Sequence, residues 1–392
     1  MIENFVTTVL LAMTIGVALV CIGFVIRGCV AEAKWPSHSV ALAFFFVVMT
    51  AESSEMLNQG LPNKLRLSWL YGTTLLLVPS LGVCIWLYIR GVTSQISRFE
   101  RRDVWHVVPI AICIIGALPY LALSKNQQTA IMTPGIDLLD PAFLIPVLFL
   151  LLAWITWIAI LILYGSASMS RLIKHRKQVR DLFSELESVS LKWLQSLIII
   201  VGTFTLLVIT SSIFPVISNA DLFSGEVVAG FYFFVVFVVG LFGVLQKNTI
   251  PTWNELGLKQ QPNRKYARSA LQIADMERIA GKLDVAMQSN RFWQNPSLSL
   301  IDMAAETRVS QNNISQTLND HLSVNFYDYV NGWRIKAACD ALRTTDLTVV
   351  TISEDVGFNA KSTFNASFKK ITGQTPRQYR ASVTELQATS VK

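Results

Sequence analysis

Seven long apolar segments occupy the first 246 residues, and they constrain the fold more than any other feature of the chain. They lie roughly at residues 5–26, 39–57, 67–89, 104–123, 142–164, 193–214 and 227–245. A bilayer core about 30 Å thick is crossed by about 20 apolar helical residues. With 52% hydrophobic and only 15% charged residues, the composition is that of a polytopic membrane protein. We predict that residues 1–246 form a seven-helix transmembrane bundle.

The positive charges between these segments predict their orientation, because cytoplasmic loops carry an excess of Lys and Arg. The loops after the first, third and fifth segments are basic, with Arg27, Lys34, Arg90, Arg98, Arg101, Arg102, Arg171, Lys174, Arg176, Lys177 and Arg180. The alternate loops carry only Lys64, Arg66 and Lys125. We therefore predict that the N-terminus lies outside, and that an odd number of crossings leaves the C-terminal region in the cytoplasm.

Two carboxylates in the second segment are chemically unusual. Glu52 and Glu55 stand about one helical turn apart among polar neighbours, and charged groups are costly in lipid unless they face the bundle interior. One interpretation is a sensor site for a small-molecule ligand or a proton near the outer mouth of the bundle. The other is that the helix ends near Ala51 and both acids are hydrated at the membrane interface.

Two polar stretches follow the apolar ones. Residues 166–190 have apolar side chains at near-helical spacing, which predicts a cytoplasmic amphipathic helix. Its basic half suits anionic lipid, and its apolar stripe suits a partner subunit or the C-terminal domain; the sequence favours none of the three. Residues 247–272 contain Pro251, Gly257 and Pro262 and are predicted to form a juxtamembrane linker.

The remaining residues contain two copies of one local pattern, each a short helix, a tight turn and a second helix with a polar face. In the first copy, Ser299 and Asp302 resemble a capping box and Ser310 caps the second helix. In the second copy, Thr348 is the cap and Gly357 is the left-handed residue that ends the first helix. An amphipathic helix at residues 326–342 separates the copies.

These motifs, together with the ending Gly373-Gln-Thr-Pro376-Arg-Gln-Tyr379-Arg380, resemble the AraC/XylS family of bacterial transcription regulators over about residues 298–380. The resemblance implies a bilobal, all-helical DNA-binding domain whose two recognition helices enter successive segments of the major groove. It departs from the family at Ala366, where many members carry Arg. Overall we predict an all-α chain with a transmembrane sensor domain at 1–246, the linker, a DNA-binding domain with its preceding helix at 273–380, and a flexible tail at 381–392.

The residues on the outer faces of the two recognition helices are the predicted DNA contacts. Amide, hydroxyl and ammonium groups that can meet base edges are Gln311, Asn312, Asn313, Gln316, Lys361, Ser362 and Asn365. Contacts that position the backbone through phosphate are assigned to Lys369, Lys370, Arg377 and Arg380.

The function predicted from these features is that of a regulator in the bacterial inner membrane which couples a membrane or periplasmic signal to promoter binding. The partners expected are double-stranded DNA, the lipid bilayer, RNA polymerase, a second copy of the chain and an unidentified small molecule. The alternative is a membrane receptor or transporter whose C-terminal helical domain is a protein-interaction module. The sequence has no spacing typical of a catalytic triad, a phosphate-binding loop or a zinc site, so we expect no enzyme activity, metal or cofactor.

Overall fold

A computed structural model of the protein describes residues 2–62, 65–94, 99–131, 140–186, 191–218, 224–246 and 271–390. Within these ranges the chain is helical, and its extended pairing is a single β-bridge between Phe183 and Ser299. The all-α prediction is therefore confirmed for the part of the chain described. Two compact units form: the N-terminal unit comprises Met1–Ile173 and Leu191–Pro251, and the C-terminal unit comprises Lys174–Ser190 and Thr252–Lys392.

The N-terminal unit is a bundle of apolar helices. They are α1 (Ile2–Ala31), α2 (Ser37–Gln59), α3 (Thr73–Leu77), α4 (Ser80–Val92), α5 (Val107–Leu121), α6 (Lys125–Ile131), the first part of α7 (Pro141–Leu182), α8 (Lys192–Ser218) and α9 (Gly225–Val238). Helix α1 packs along α2 and α9, and α2 packs on α4. The core that they share includes Phe46, Met49, Ile89 and Val236.

Five helical segments of the described residues are long and apolar enough to cross a membrane: Phe5–Ala31, Ser37–Gln59, Arg101–Leu121, Pro141–Leu182 and Gly225–Gly243. These correspond to the first, second, fourth, fifth and seventh predicted spans. Large apolar side chains such as Phe24, Ile162 and Leu163 are exposed on them. Apolar surface of this extent is typical of helices that meet lipid or another protein.

No single helix covers the third predicted span, all of whose residues are described. The third is divided into a 3-10 turn (Ser68–Leu70), α3 and α4; Gly72 adopts a left-handed φ of 84°, and Pro79 precedes α4. The apolar composition of residues 67–89 predicts one continuous helix, but Gly72 and Pro79 interrupt the helical backbone. The sixth predicted span is covered by α8, a helix of 27 residues, whose described side chains form the apolar stretch Lys192–Leu207. The predicted count of seven spans is thus not reached within the described residues.

Helix α7 corrects the prediction of a separate amphipathic helix at 166–190. It is a single helix of 42 residues that begins in the fifth apolar segment and ends at Leu182. The change from apolar to polar composition was interpreted as a boundary, but Gly165 and the small residues after it keep helical backbone. Residues after Leu182 leave the helix.

Besides the end of α7 from Lys174, the C-terminal unit contains seven α-helices within its described residues: α10 (Ile273–Ser289), α11 (Leu300–Thr307), α12 (Gln311–Gln316), α13 (Phe326–Thr344), α14 (Val349–Asp355), α15 (Lys361–Thr372) and α16 (Pro376–Ser390). They form two lobes with separate cores, one around Leu283, Met303 and Ile314 and the other around Ile352 and Phe364. Helix α13 contributes side chains to both cores.

Of the two predicted boundaries beside these helices, one lies at a helix end and the other lies within a helix. Residues 247–270 of the predicted linker lie outside the described residues, and α10 begins at Ile273. At the other end, α16 continues through the first ten residues of the predicted flexible tail to Ser390. Residues 384–387, Thr-Glu-Leu-Gln, contain good helix formers and no breaker, so the helix does not stop at Arg380.

Candidate nucleic-acid interface

The first helix-turn-helix unit consists of α11 and α12. The capping box predicted at the start of α11 is confirmed: Ser299 Oγ accepts a hydrogen bond from the Asp302 amide, and the Ser299 amide donates to Asp302 Oδ2 at 2.9 Å. Arg308 ends α11 in the left-handed conformation with φ 54°. Ser310 then caps α12 by accepting from the Asn313 amide at 3.3 Å. The turn therefore has two fixed ends.

Helix α12 is held by its apolar side and presents its polar side. Ile314 and Leu318 are fully buried in the first core, and the helix passes into a π turn at Thr317–His321. Of the four amides predicted to read bases, Asn312 is exposed, while the remaining three, Gln311, Asn313 and Gln316, are half-buried. These three side chains are therefore partly accessible to solvent.

The second unit consists of α14 and α15. Thr348 Oγ1 accepts from the Thr351 amide at 3.1 Å, which confirms the predicted cap. Gly357 has φ 84°, which confirms the predicted left-handed residue after α14. The core of this lobe is an aromatic series in which the ring centroids of successive members lie 5.3–5.6 Å apart: Phe358, Phe364, Phe368 and Tyr379.

The polar side of α15 carries the second set of predicted base contacts. Lys361 and Ser362 are exposed at the first turn of the helix, and Asn365 is half-buried one turn later. The burial of Phe364 and Phe368 on the opposite side fixes the rotation of α15. These three side chains therefore lie on one accessible face of α15.

The four predicted phosphate contacts differ in how freely they face solvent. Lys369 and Arg377 are exposed. Lys370 is also exposed, but its Nζ lies 2.8 Å from Asp328 Oδ1 on α13. Arg380 donates from Nη2 to the carbonyl oxygen of Leu347 at 2.5 Å. Two of the four cations are therefore already engaged within the domain.

Arg334, on α13, is a functional candidate that the sequence analysis missed. Only 1% of the residue is exposed, and its guanidinium donates to the carbonyl oxygens of Trp293 (2.8 Å) and Asn295 (2.7 Å). It also stacks 5.4 Å from the Phe358 ring centroid. Burial lowers the pKa of Arg334 to about 10, so the side chain stays protonated at neutral pH. One cation thus links the segment before α11 to the core of the second lobe.

A local signal could have identified Arg334. It lies on the buried face of α13, four residues after Val330 and four before Ala338, both fully buried. A charged residue at such a position is expected to be paired or hydrogen-bonded.

The predicted sensor residues lie in the N-terminal unit, in different surroundings. Helix α2 continues to Gln59, and both carboxylates are buried, so the interpretation in which the helix ends near Ala51 is wrong. Glu52 accepts a hydrogen bond from the Tyr232 hydroxyl at 2.6 Å. Glu55 accepts from the amides of Gly72 and Thr74, both at 2.7 Å, and these donors lie at the start of α3. Glu55 therefore stabilises α3.

Comparison with known proteins finds a family match within the C-terminal unit. A family model described as a helix-turn-helix domain matches residues 303–382. A protein of Staphylococcus aureus (strain COL) that is named as an HTH-type transcriptional regulator is 35% identical over 83 residues, which are 21% of this chain and 11% of that protein. A protein of Streptomyces lividans named as an AraC-like transcription regulator is 27% identical over 106 residues, 26% of this chain and 35% of that protein.

Both matches leave most of each relative uncovered, and the chain spans about a tenth of the length of the staphylococcal protein. Among solved structures, the C-terminal domain of AraT, a response regulator from Geobacillus stearothermophilus, is 25% identical, with a TM-score of 0.24. That match covers 29% of this chain and 88% of the AraT domain.

Proposed function

We propose that this chain, whose residues 303–382 form a helix-turn-helix domain of the AraC type, is a membrane-bound transcriptional regulator that couples a membrane or periplasmic signal to promoter binding. The observation that carries the proposal is the pair of capped helix-turn-helix units, each of which exposes the polar face of its second helix. A helix of this kind fits the major groove with side chains toward base edges. Helix α13, between them, gives the two units a fixed separation.

The proposed division of DNA contacts follows the two polar faces. Base edges would be contacted by Gln311, Asn312, Asn313, Gln316, Lys361, Ser362 and Asn365. Phosphates would be contacted by Lys369 and Arg377, which are exposed, and by Lys370 and Arg380 after exchange of their present partners. Phosphate contacts set the register on DNA and base contacts set the sequence preference.

Membrane anchorage is proposed from the apolar helices. Five helices of sufficient length support it, and a count of seven adds the broken third segment and α8. With the basic loops on the inside, the N-terminus lies in the periplasm and the helix-turn-helix domain in the cytoplasm. In this arrangement the protein is a multi-pass protein of the bacterial inner membrane.

The signal is proposed to act through Glu52. Its carboxylate is buried in α2 and bound by Tyr232 from α9, so a proton or small molecule that changes this bond would alter the packing of two spanning helices. Glu55 is the second predicted sensor residue. Its hydrogen bonds to the start of α3 support an additional, structural role for this carboxylate. Because promoters are often read as paired sites, we also propose a homodimer that contacts RNA polymerase at the promoter.

The first experiment measures DNA affinity of the full-length protein in lipid nanodiscs. A mixed-sequence duplex of about 20 bp covers two turns of the major groove. We expect the logarithm of affinity to fall linearly with the logarithm of salt concentration, with a slope of about 0.9 per phosphate contact. Affinity without salt dependence, or none, would contradict the proposal and favour the protein-interaction module.

The second experiment tests which side chains read the bases, rather than whether the protein binds DNA. Genome-wide occupancy is compared between the native protein and a Gln316→Ala/Asn365→Ala variant, with Asn290→Ala as a control for loss of an exposed amide outside the interface. We expect the double variant to lose its specific sites while the control keeps them. Unchanged occupancy of the double variant would show that base reading is assigned to the wrong side chains.

A further inference from the structure

The residues that follow α7 pack against the start of the first helix-turn-helix unit. Ser184 donates to the carbonyl oxygen of Leu298 from its amide (3.0 Å) and from Oγ (2.6 Å). Phe183 and Ser299 form the β-bridge beside this contact. Leu298 is fully buried and directly precedes the cap of α11. The end of α7 is therefore fixed to the residue pair from which the first unit starts.

Arg334 connects the same contact to the second lobe. Its Nη1 donates to the Ser184 carbonyl oxygen at 3.4 Å, and its Nη2 donates to Ser184 Oγ at 3.2 Å. The same guanidinium stacks on Phe358, which contacts Phe364 of α15. A hydrogen-bonded series thus runs from Leu298 through Ser184 and Arg334 to the aromatic core behind the second recognition helix.

A second contact of α7 lies at Asp328, near the start of α13. Arg180 Nη2 lies 3.6 Å from Asp328 Oδ1, and the Arg180 guanidinium stacks 5.4 Å from the Tyr327 ring centroid. Lys370 of α15 holds the same carboxylate oxygen at 2.8 Å. Two cations on one oxygen repel each other and divide its attraction. The carboxylate consequently holds Lys370 less tightly while Arg180 is present.

We propose that residues 180–184 at the end of α7 are the contact through which the state of the membrane-spanning helices sets the DNA affinity of the helix-turn-helix domain. This inference rests on the proposed function. Helix α7 is continuous from Pro141 to Leu182, so a shift or rotation of its apolar part moves Arg180 and Ser184. While Arg180 pairs with Asp328, Lys370 exchanges readily from this carboxylate to a DNA phosphate. When Arg180 moves away, Asp328 binds Lys370 more tightly, and the domain loses one phosphate contact.

The test compares Arg180→Ala with Arg176→Ala in full-length protein in lipid nanodiscs, with a mixed-sequence duplex of about 20 bp as the probe. Arg176 is exposed on the same helix, so the control removes an equal charge. We expect Arg180→Ala to weaken DNA affinity about two- to fivefold, the range of a partly exposed ion pair, and to lower the salt slope. In a Lys370→Ala background, Arg180→Ala should have no further effect.

A second variant tests the Ser184 contact without changing charge. Ser184→Ala removes the Oγ bonds to Leu298 and Arg334, and Ser297→Ala, at an exposed position nearby, is the control. We expect faster hydrogen exchange at the amides of 299–304 in Ser184→Ala alone, because the start of α11 loses its support.

The outcomes distinguish failure of the proposed function from failure of the coupling contact. Native protein without salt-dependent affinity would overturn the proposed function and the coupling contact together. Native protein that binds DNA while Arg180→Ala and Arg176→Ala behave alike would overturn the coupling contact and leave the proposed function standing. Equal effects of Arg180→Ala in the presence and absence of the Lys370 side chain would also overturn it, because the two cations would then act independently.

Discussion

A Cβ atom added to Gly357 would lie 2.7 Å from the carbonyl oxygen of Gln294. Gly357 ends the first helix of the second unit with a left-handed φ of 84°. Gln294 belongs to the short 3-10 turn Phe292–Gln294, two residues before Pro296 in the segment that leads to α11. Two backbones from different lobes therefore approach each other where only glycine fits. Arg334 binds the neighbouring carbonyl groups of that segment, so steric fit and hydrogen bonds act at the same place.

Gly357→Ala is expected to destabilise the contact between the lobes. The left-handed backbone alone costs a residue with a side chain about 1–3 kcal/mol, and the methyl group must displace a carbonyl oxygen of the backbone. Hydrogen exchange of α14 and α15 in the full-length protein measures the loss as a lower opening free energy.

Gly332→Ala is the matched control, since this glycine lies within α13 and a Cβ there meets nothing within 4 Å. Replacing a helical glycine with alanine is expected to stabilise by about 0.5–1 kcal/mol. If Gly357→Ala left the exchange of α14 and α15 unchanged, the close approach to Gln294 would not constrain the domain.

Asp328→Asn is expected to raise DNA affinity. The carboxylate holds Lys370 at 2.8 Å, and the amide that replaces it has no charge with which to compete against a phosphate. In the native protein Lys370 already exchanges to a phosphate, so the number of phosphate contacts stays the same, and we expect the dependence of log affinity on log salt to change little. Fluorescence anisotropy with labelled duplex measures both quantities.

The control for Asp328→Asn is Asp340→Asn. Asp340 also lies on α13, and its carboxylate pairs with Arg343, so this variant removes an equal negative charge without releasing Lys370. A similar gain in both variants would mean that net charge, rather than Lys370, sets the affinity. Loss of the gain in Asp328→Asn/Lys370→Ala would assign it to Lys370.

The parts of the domain that the sequence predicted are those governed by neighbours in the chain. Ser299, Ser310 and Thr348 each cap a helix through an amide three residues away. Gly357 was identified because a left-handed helix end favours glycine. Such rules need only a short window of sequence, and the order short helix, turn, polar-faced helix follows from them.

The parts that sequence analysis missed depend on distant partners or on backbone continuity. Arg334 binds Ser184, 150 positions earlier, and Asn295, 39 positions earlier; no local pattern specifies such acceptors. The extent of α7 was missed because composition changes near Gly165 while the backbone conformation does not. The third apolar segment was assigned as one span because hydropathy sums do not register the left-handed φ of Gly72.

Gln316→Ala is expected to cost more sequence discrimination than Asn365→Ala. The first recognition helix presents four amides, whereas α15 has Ala366, exposed, where many members of the resembled family carry an Arg. A good bidentate contact contributes about 1–3 kcal/mol of discrimination against the wrong base. Selection of binding sites from a random duplex library, with each variant in turn, measures the loss at each position. Equal losses would contradict the ranking.

Glu52→Gln is expected to change promoter occupancy, whereas Glu55→Gln is expected to lower the amount of protein in the membrane. Glutamine at 52 still accepts the hydrogen bond from Tyr232 but carries no charge, so the variant should reach normal levels in the membrane while its promoter occupancy changes. Glutamine at 55 has one acceptor oxygen where the carboxylate uses two, Oε1 for Gly72 and Oε2 for Thr74. Its NH₂ group would face a backbone amide, a mismatch that costs about 1–3 kcal/mol and should lower the membrane level. Occupancy normalised to membrane level separates the two effects, and wild-type occupancy of Glu52→Gln in every growth condition would remove Glu52 from the sensor.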